Sequence, residues 1–231
     1  MKIFFLVLIL IFSQFSFAGI DQGNGGNIIY CPKQKKNLSL DYVLASYNFG
    51  RDVVIFDTQD IDASMARISK LINEKLPELG PSFSEFVKYL YNEKNPTLPY
   101  YWKKSLSPLS NTNDQNIGQL PIYCMTTKSE PVEIHQAVIR TDNSAAVEKL
   151  NIVFEFDQDY LTLLDGQQMS FLYVHEWLWN ISDNVVKNRN FNYLLHSTLF
   201  DTMTSEQFRD EMKKIAFRVN KDFKNLPKLA D

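Results

Sequence analysis

Gln167 to Asn180 reads QQMSFLYVHEWLWN, and the rest of the chain is best understood around it. At 100° per residue, His175 shares a face with Phe171, Leu172, Leu178 and Trp179, while Glu176 sits among Leu172, Tyr173, Trp179 and Asn180. A helix that is apolar nearly all round is a buried helix. An imidazole and a carboxylate inside it must be hydrogen-bonded, paired or metal-bound, because an unsatisfied buried polar group costs on the order of 1–3 kcal/mol and a charge costs more. The pair therefore predicts partners elsewhere in the chain.

On the C-terminal side, Ser182 can cap a helix expected over 183–195, which delivers His196. A further helix is expected from Thr204, where Gln207 completes a capping box and Phe208, Met212, Ile215, Ala216 and Val219 face the core. The tail from Lys221 should be loosely held. On the N-terminal side, a turn and short helix are expected within 157–165, broken by Gly166. Before that the pattern is β. Segments 120–125 and 132–140 flank the turn residues 128–131 as a hairpin, and Ile152, Phe154 and Phe156 alternate with polar or smaller residues. These predict a mainly antiparallel sheet of three or more strands, with His135 an ordinary half-buried or surface residue on it.

In the first half, Asn27 to Cys31 reads as a strand that stops at Pro32. The preceding Gly23-Asn24-Gly25-Gly26 precedes a strand instead of opening a helix and lacks a following Lys-Ser/Thr, so it does not read as a phosphate loop. A helix is expected over 38–47, then a strand or structured loop at 53–56. Ile61, Met65, Ile68, Ile72 and Leu76 recur at helical spacing behind Asp60 as N-cap. Ser82 and Glu85 form a capping-box pattern ahead of Phe83, Phe86, Val87 and Leu90, so two helices should pack as a hairpin. Residues 95–118 read as a long loop. Its Tyr100-Tyr101-Trp102 cluster fits a core anchor better than a sugar or peptide site. The whole is an α+β fold, an antiparallel sheet packed against helices with the His-Glu helix central and buried.

Lys2, the apolar run 3–12 and small residues at Ser16 and Ala18 have the three parts of a secretory signal. Residues 1–18 are read as a signal peptide cleaved before Gly19, and 19–231 as a single domain, soluble and periplasmic or secreted. The apolar run is too short for a membrane span, which needs roughly 20 residues. With 24 Lys and Arg against 27 Asp and Glu, there is no basic excess to attract nucleic acid, which leaves a protein, peptide or small molecule as partner. Cys31 and Cys124 are the only cysteines, and in an exported chain two cysteines most simply form one disulfide. Two buried free thiols are the alternative.

His-Glu on a helix, preceded by a sheet strand and followed about 20 residues later by another ligand-capable side chain, is the layout of a zincin-type metallopeptidase. In that chemistry two histidines one turn apart bind Zn²⁺ and the glutamate deprotonates a metal-bound water. Here the one-turn position is Trp179, which cannot ligate zinc. A modified site would use His175 and His196 as metal ligands with a carboxylate, and Glu176 as catalytic base. In the structural reading, the same residues hydrogen-bond to the sheet, to the following helix, or to Arg189 and Asn190, and lock the helix in place. A third reading puts a small or peptide ligand there. No G-x-S-x-G turn occurs, and Cys-His chemistry would need a free thiol. The residues identify no cofactor.

The order of features resembles a group of exported, functionally uncharacterised proteins of predatory Gram-negative bacteria. The shared elements are the Gly-Asn-Gly-Gly start, an early cysteine, a helical middle, and a second cysteine followed by a strand with Gln136-Ala137. The His-Glu helix and a following helix ending near Leu195-His196-Ser197 complete the pattern. The likeness spans most of the mature chain and implies export and a shared fold; it carries no activity to transfer. A likeness to zincins covers only the helix around His175. The resulting expectation is an exported protein of binding or structural type, with a zinc-dependent hydrolase of altered ligand set as the alternative.

Overall fold

The computed structural model describes residues 20–21, 26–49, 55, 60–109, 120–121, 124–125, 133–144, 149–215 and 217. Helix α5, Gly166–Leu178, lies at the centre. Every side chain from Ser170 to Leu178 is buried, which is what the near-continuous apolar sequence requires. Around α5 pack α1 (Leu40–Phe49), α2 (Ile61–Lys75), α6 (Val185–His196) and strand β3 (Lys36–Ser39). The fold class is α+β, as the alternation of helical and strand periods predicts.

Two sheets flank the helices. The first has the order β1 (Ile20–Asp21), β6 (Val138–Asp142), β7 (Ile152–Phe156), β4 (Tyr100–Lys104), and the second has the order β3, β2 (Asn27–Cys31), β5 (Ile134–Gln136). All pairings are antiparallel except β4 with β7, which run parallel in the register Trp102 opposite Phe154. β5 and β6 belong to different sheets although one residue, Ala137, separates them. Ala137 and Val138 both donate to the Gly26 carbonyl, at 2.9 and 3.2 Å, so Gly26 turns the strand from one sheet into the other.

Strand β4 corrects the reading of 95–118 as a loop. Tyr100 and Trp102 are its buried face, and Trp102 stacks on Phe154 with centroids 4.3 Å apart while meeting Tyr173 of α5 edge-on at 5.1 Å. The aromatics are a core anchor. Three prolines around a short strand hide a period-2 signal, and parallel pairing with β7 supplies hydrogen bonds that a local reading cannot see.

Two of three expected caps move. Asp60 does cap α2, accepting from Asp62 N at 2.9 Å. The next helix, α3 (Gly80–Lys88), begins earlier than expected because Pro81 fits its first turn, and Ser82 lies inside it. Freed from capping, the buried Ser82 hydroxyl accepts from Trp177 Nε1 at 3.0 Å. Helix α6 is capped by Asn184, not Ser182, with Asn184 Oδ1 accepting from Lys187 N at 3.0 Å. Short helices α4 (Gln158–Leu161) and α7 (Thr198–Thr202) precede and follow this region, and α8 (Ser205–Lys214) carries the expected Thr204-Gln207 capping box.

Cys31 and Cys124 are joined by a disulfide spanning 93 residues, and among the described residues no cysteine is free. It closes a small second core of Ile29, Leu38, Leu40, Val43, Leu44 and Ile134 beneath α1. Leu120, Pro121, Cys124 and Met125 are not in a strand, and the hairpin turn expected at 128–131 lies outside the described residues, as do the signal segment and the tail. Ile55 makes an antiparallel bridge to Ser197. Among the described residues no helix is long and apolar enough to cross a membrane.

Candidate functional site

Gly166 opens α5; it does not end the preceding helix. Asp165 is the N-cap, its carboxylate accepting from Gln168 N at 2.9 Å. Gln168 then reaches β3, its Oε1 accepting from Ser39 N at 2.9 Å. These contacts fix the depth at which His175 and Glu176 enter the core.

His175 meets a partner that the sequence pattern does not name. Its Nδ1 lies 2.7 Å from Oδ2 of Asp41, in the first turn of α1. Arg189 Nε donates to Asp41 Oδ1 at 3.2 Å, and Asn192 Nδ2 donates to both Asp41 Oδ2 at 2.8 Å and the Phe171 carbonyl at 2.7 Å. All four side chains are buried. Burial alone would raise the Asp41 carboxyl, but His175, Arg189 and Asn192 outweigh it and hold Asp41 below the usual carboxylate range. The cluster ties α1, α5 and α6 together at one carboxylate.

Trp179, one turn after His175, donates its indole N–H to His175 Nε2 at 2.9 Å. An indole nitrogen only donates, so Nε2 is the acceptor and Nδ1 carries the ring proton toward Asp41. This is the tautomer in which an imidazole can act as a base, yet the basic nitrogen is already engaged by Trp179. Burial disfavours the imidazolium, Asp41 favours it, and Asp41 prevails, so the affinity of His175 for a second proton lies above the ordinary imidazole value. The indole N–H acts against that second proton.

His196 is also fully engaged. Its Nδ1 lies 2.9 Å from the Asn192 carbonyl, so this nitrogen carries the proton, and Nε2 accepts from Ser170 Oγ at 2.6 Å. Ser64 Oγ on α2 is 2.8 Å from Ser170 Oγ and supplies the next hydrogen in the chain. The ring stacks on Phe171 with centroids 3.8 Å apart. Burial pushes its pKa down to about 3, so it is neutral at any ordinary pH. With both nitrogens of both histidines bonded to protein, neither ring offers a lone pair to a metal. Among the described residues no group of three or more His, Cys, Asp or Glu side chains could hold one.

Glu176 reaches a different partner from His175. Its Oε1 accepts from Gly26 N, and its Oε2 has no hydrogen-bond partner among the described residues. Burial raises its pKa, with His175, the Gly26 N–H and Arg140 opposing. Arg140 of β6 donates from Nη2 to Asn180 Oδ1 at 2.8 Å, while its Nε and Nη1 have no hydrogen-bond partner among the described residues. Asn180 in turn donates to Tyr100 OH at 3.1 Å. A run of polar contacts thus crosses from β4 through Asn180 to β6, with Glu176 and Gly26 beside it.

Gly26 explains the end of the Gly-Asn-Gly-Gly cluster. A Cβ there would lie 2.6 Å from Leu172 Cγ and 3.3 Å from Glu176 Oε1. Only a glycine lets the backbone approach α5 closely enough for its N–H to reach the carboxylate.

Comparison with known proteins leaves these residues to speak for themselves: no family model, no curated protein and no solved structure matches the chain. Of the residues singled out in the sequence, Cys31 and Cys124 are joined. Glu176 and His175, adjacent on α5, meet different partners, Gly26 and Asp41, and His196 is linked to the His175 cluster through Asn192. Among the described residues Asn190 Oδ1 has no hydrogen-bond partner. Asp41, Gly26, Arg140 and Ser170 were missed. Asp41 carried one signal, a lone acid in the apolar run LDYVL; the others look like ordinary strand, turn and helix residues.

Proposed function

We propose that this is an exported, non-catalytic protein of binding or structural type, in which the His-Glu helix is a polar keystone and not a catalytic centre. The observation that carries this reading is the commitment of His175: Asp41 holds Nδ1 and Trp179 holds Nε2. A zinc ligand or general base needs one of those nitrogens for the metal or the reacting proton. Glu176 Oε1 accepts from Gly26 N, which takes up one of the two carboxylate oxygens a general base would use. Export is supported by the signal-like residues 1–18 and by a disulfide, a bond that persists in oxidising compartments. The resemblance to exported proteins of predatory bacteria points the same way. The near balance of charge favours a protein, peptide or small-molecule partner over nucleic acid.

The test is elemental analysis of untagged mature protein purified without chelators, beside the His175→Ala variant. The expected result is no stoichiometric zinc in either, with the variant melting at a lower temperature. One zinc per chain in the wild type, lost in the variant, would replace this reading with a zinc-dependent hydrolase.

A further inference from the structure

We propose that at least one ordered internal water ties β6 to α5 by bridging the Arg140 guanidinium and Glu176 Oε2. The argument starts from buried polar atoms whose needs are complementary. Arg140 is 3% and Glu176 0% exposed, so bulk solvent serves neither. Arg140 Nε and Nη1 are donors and Glu176 Oε2 is a carboxylate oxygen, and none of the three has a hydrogen-bond partner among the described residues. The two side chains therefore do not bond each other directly. Leaving such groups unsatisfied in a core is costly, and folded proteins resolve it with internal waters that each make about three hydrogen bonds.

Two lines of contact bring these atoms to one place. Asn180 lies one turn on from Glu176, just past the end of α5, and its Oδ1 accepts from Arg140 Nη2 at 2.8 Å. From the other direction, Glu176 Oε1 accepts from Gly26 N, and the Gly26 carbonyl accepts from Val138 N at 3.2 Å, two residues before Arg140 on β6. Each side chain is thus anchored by one bond while its remaining polar atoms stay free. The charges then select the occupant. Glu176 disfavours an anion, as does Asp142 with its Oδ2 4.0 Å from Arg140 Nη2, and Arg140 disfavours a cation. What remains is a neutral group that both accepts and donates, and water does so in the smallest volume. It also serves Oε2 whether the carboxyl is ionised or protonated. The bridge goes beyond the proposed function and is independent of whether the protein binds a ligand.

The experiment is NMR of isotope-labelled full mature protein, reading cross-peaks between water and the Arg140 guanidinium protons. The expected result is NOE and ROE cross-peaks of opposite sign, the mark of a resident water and not of passing solvent or proton exchange. Water-oxygen relaxation dispersion then counts long-lived waters in the wild type and in Arg140→Met/Glu176→Met. That double variant removes both polar ends together and leaves no lone buried charge, and its count falls by at least one. Should it fail to fold, the wild-type cross-peaks decide alone. Their absence at Arg140 would overturn the proposal, and so would an unchanged count in a folded double variant. A crystal structure showing a direct Arg140–Glu176 hydrogen bond, or an anion between the two, would overturn it as well.

Discussion

Trp179 donates to His175 Nε2 at 2.9 Å from the position, one turn on, where a zincin would place its second histidine. A tryptophan there does more than fail to be a ligand. It puts a hydrogen-bond donor on the nitrogen that a metal would need, and leaves Nδ1 to bind the three-helix junction at Asp41. The depth of that junction makes its members unequal.

Asp41 should matter more than His175. Removing the carboxylate leaves the Arg189 charge and the His175 N–H buried without their shared acceptor, whereas removing the imidazole leaves Asp41 still bonded to Arg189 and Asn192. Breaking a buried pair from one side costs about 3–5 kcal/mol. Urea denaturation should show Asp41→Ala losing that much and His175→Ala losing clearly less; equal losses would mean that Asp41 is not the hub.

Stability should fall with acid through His196. Its folded pKa of about 3 lies below its ordinary value of 6.5, so the unfolded chain binds the proton more readily. The stabilisation is complete above pH 6.5 and is lost progressively as pH falls toward the folded value, with a slope approaching about 1.4 kcal/mol per pH unit. Chemical denaturation of wild type and His196→Gln between pH 7.5 and 4 should show the difference shrinking as the solution is acidified. A constant difference would contradict the buried neutral ring.

Gly26→Ala should destabilise by about 1–3 kcal/mol, since the new methyl must push Leu172 and the Glu176 carboxylate aside. The neighbouring backbone bonds to Ala137 and Val138 should weaken with it, which amide hydrogen exchange at those two residues would register. Unchanged exchange there would dissociate Gly26 from the sheet switch.

Reducing the Cys31–Cys124 bond should cost up to about 4–5 kcal/mol in the chain-entropy model, because the bond closes a loop spanning 93 residues. Thermal melts of Cys31→Ser/Cys124→Ser against oxidised wild type would measure it. A variant melting within a degree or two of wild type would remove the bond from the list of major stabilisers.

The α+β class, the central buried helix, the amphipathic helix behind Asp60, the Thr204 capping box and the cysteine pair were all legible in the sequence. Each rests on contacts a few residues apart, on the burial that an apolar run demands, or on a count of two. Strand β4 and the sheet change at Ala137 were not legible, because strand pairing is set by a distant partner: β7 for one, Gly26 for the other.

The same division runs through the site. The sequence alone determined that His175 and Glu176 must be buried and must find partners, since helical periodicity leaves them no solvent face. Which partners they find was decided only in three dimensions. Asp41 lies 134 residues from His175 and Gly26 lies 150 from Glu176, so no local pattern couples them. Trp179 could be read as a missing zinc ligand from its identity, but its role as a donor depends on the indole being turned inward onto Nε2. That orientation is a matter of packing against the folded core, where each buried donor is driven to an acceptor by the cost of leaving it without one.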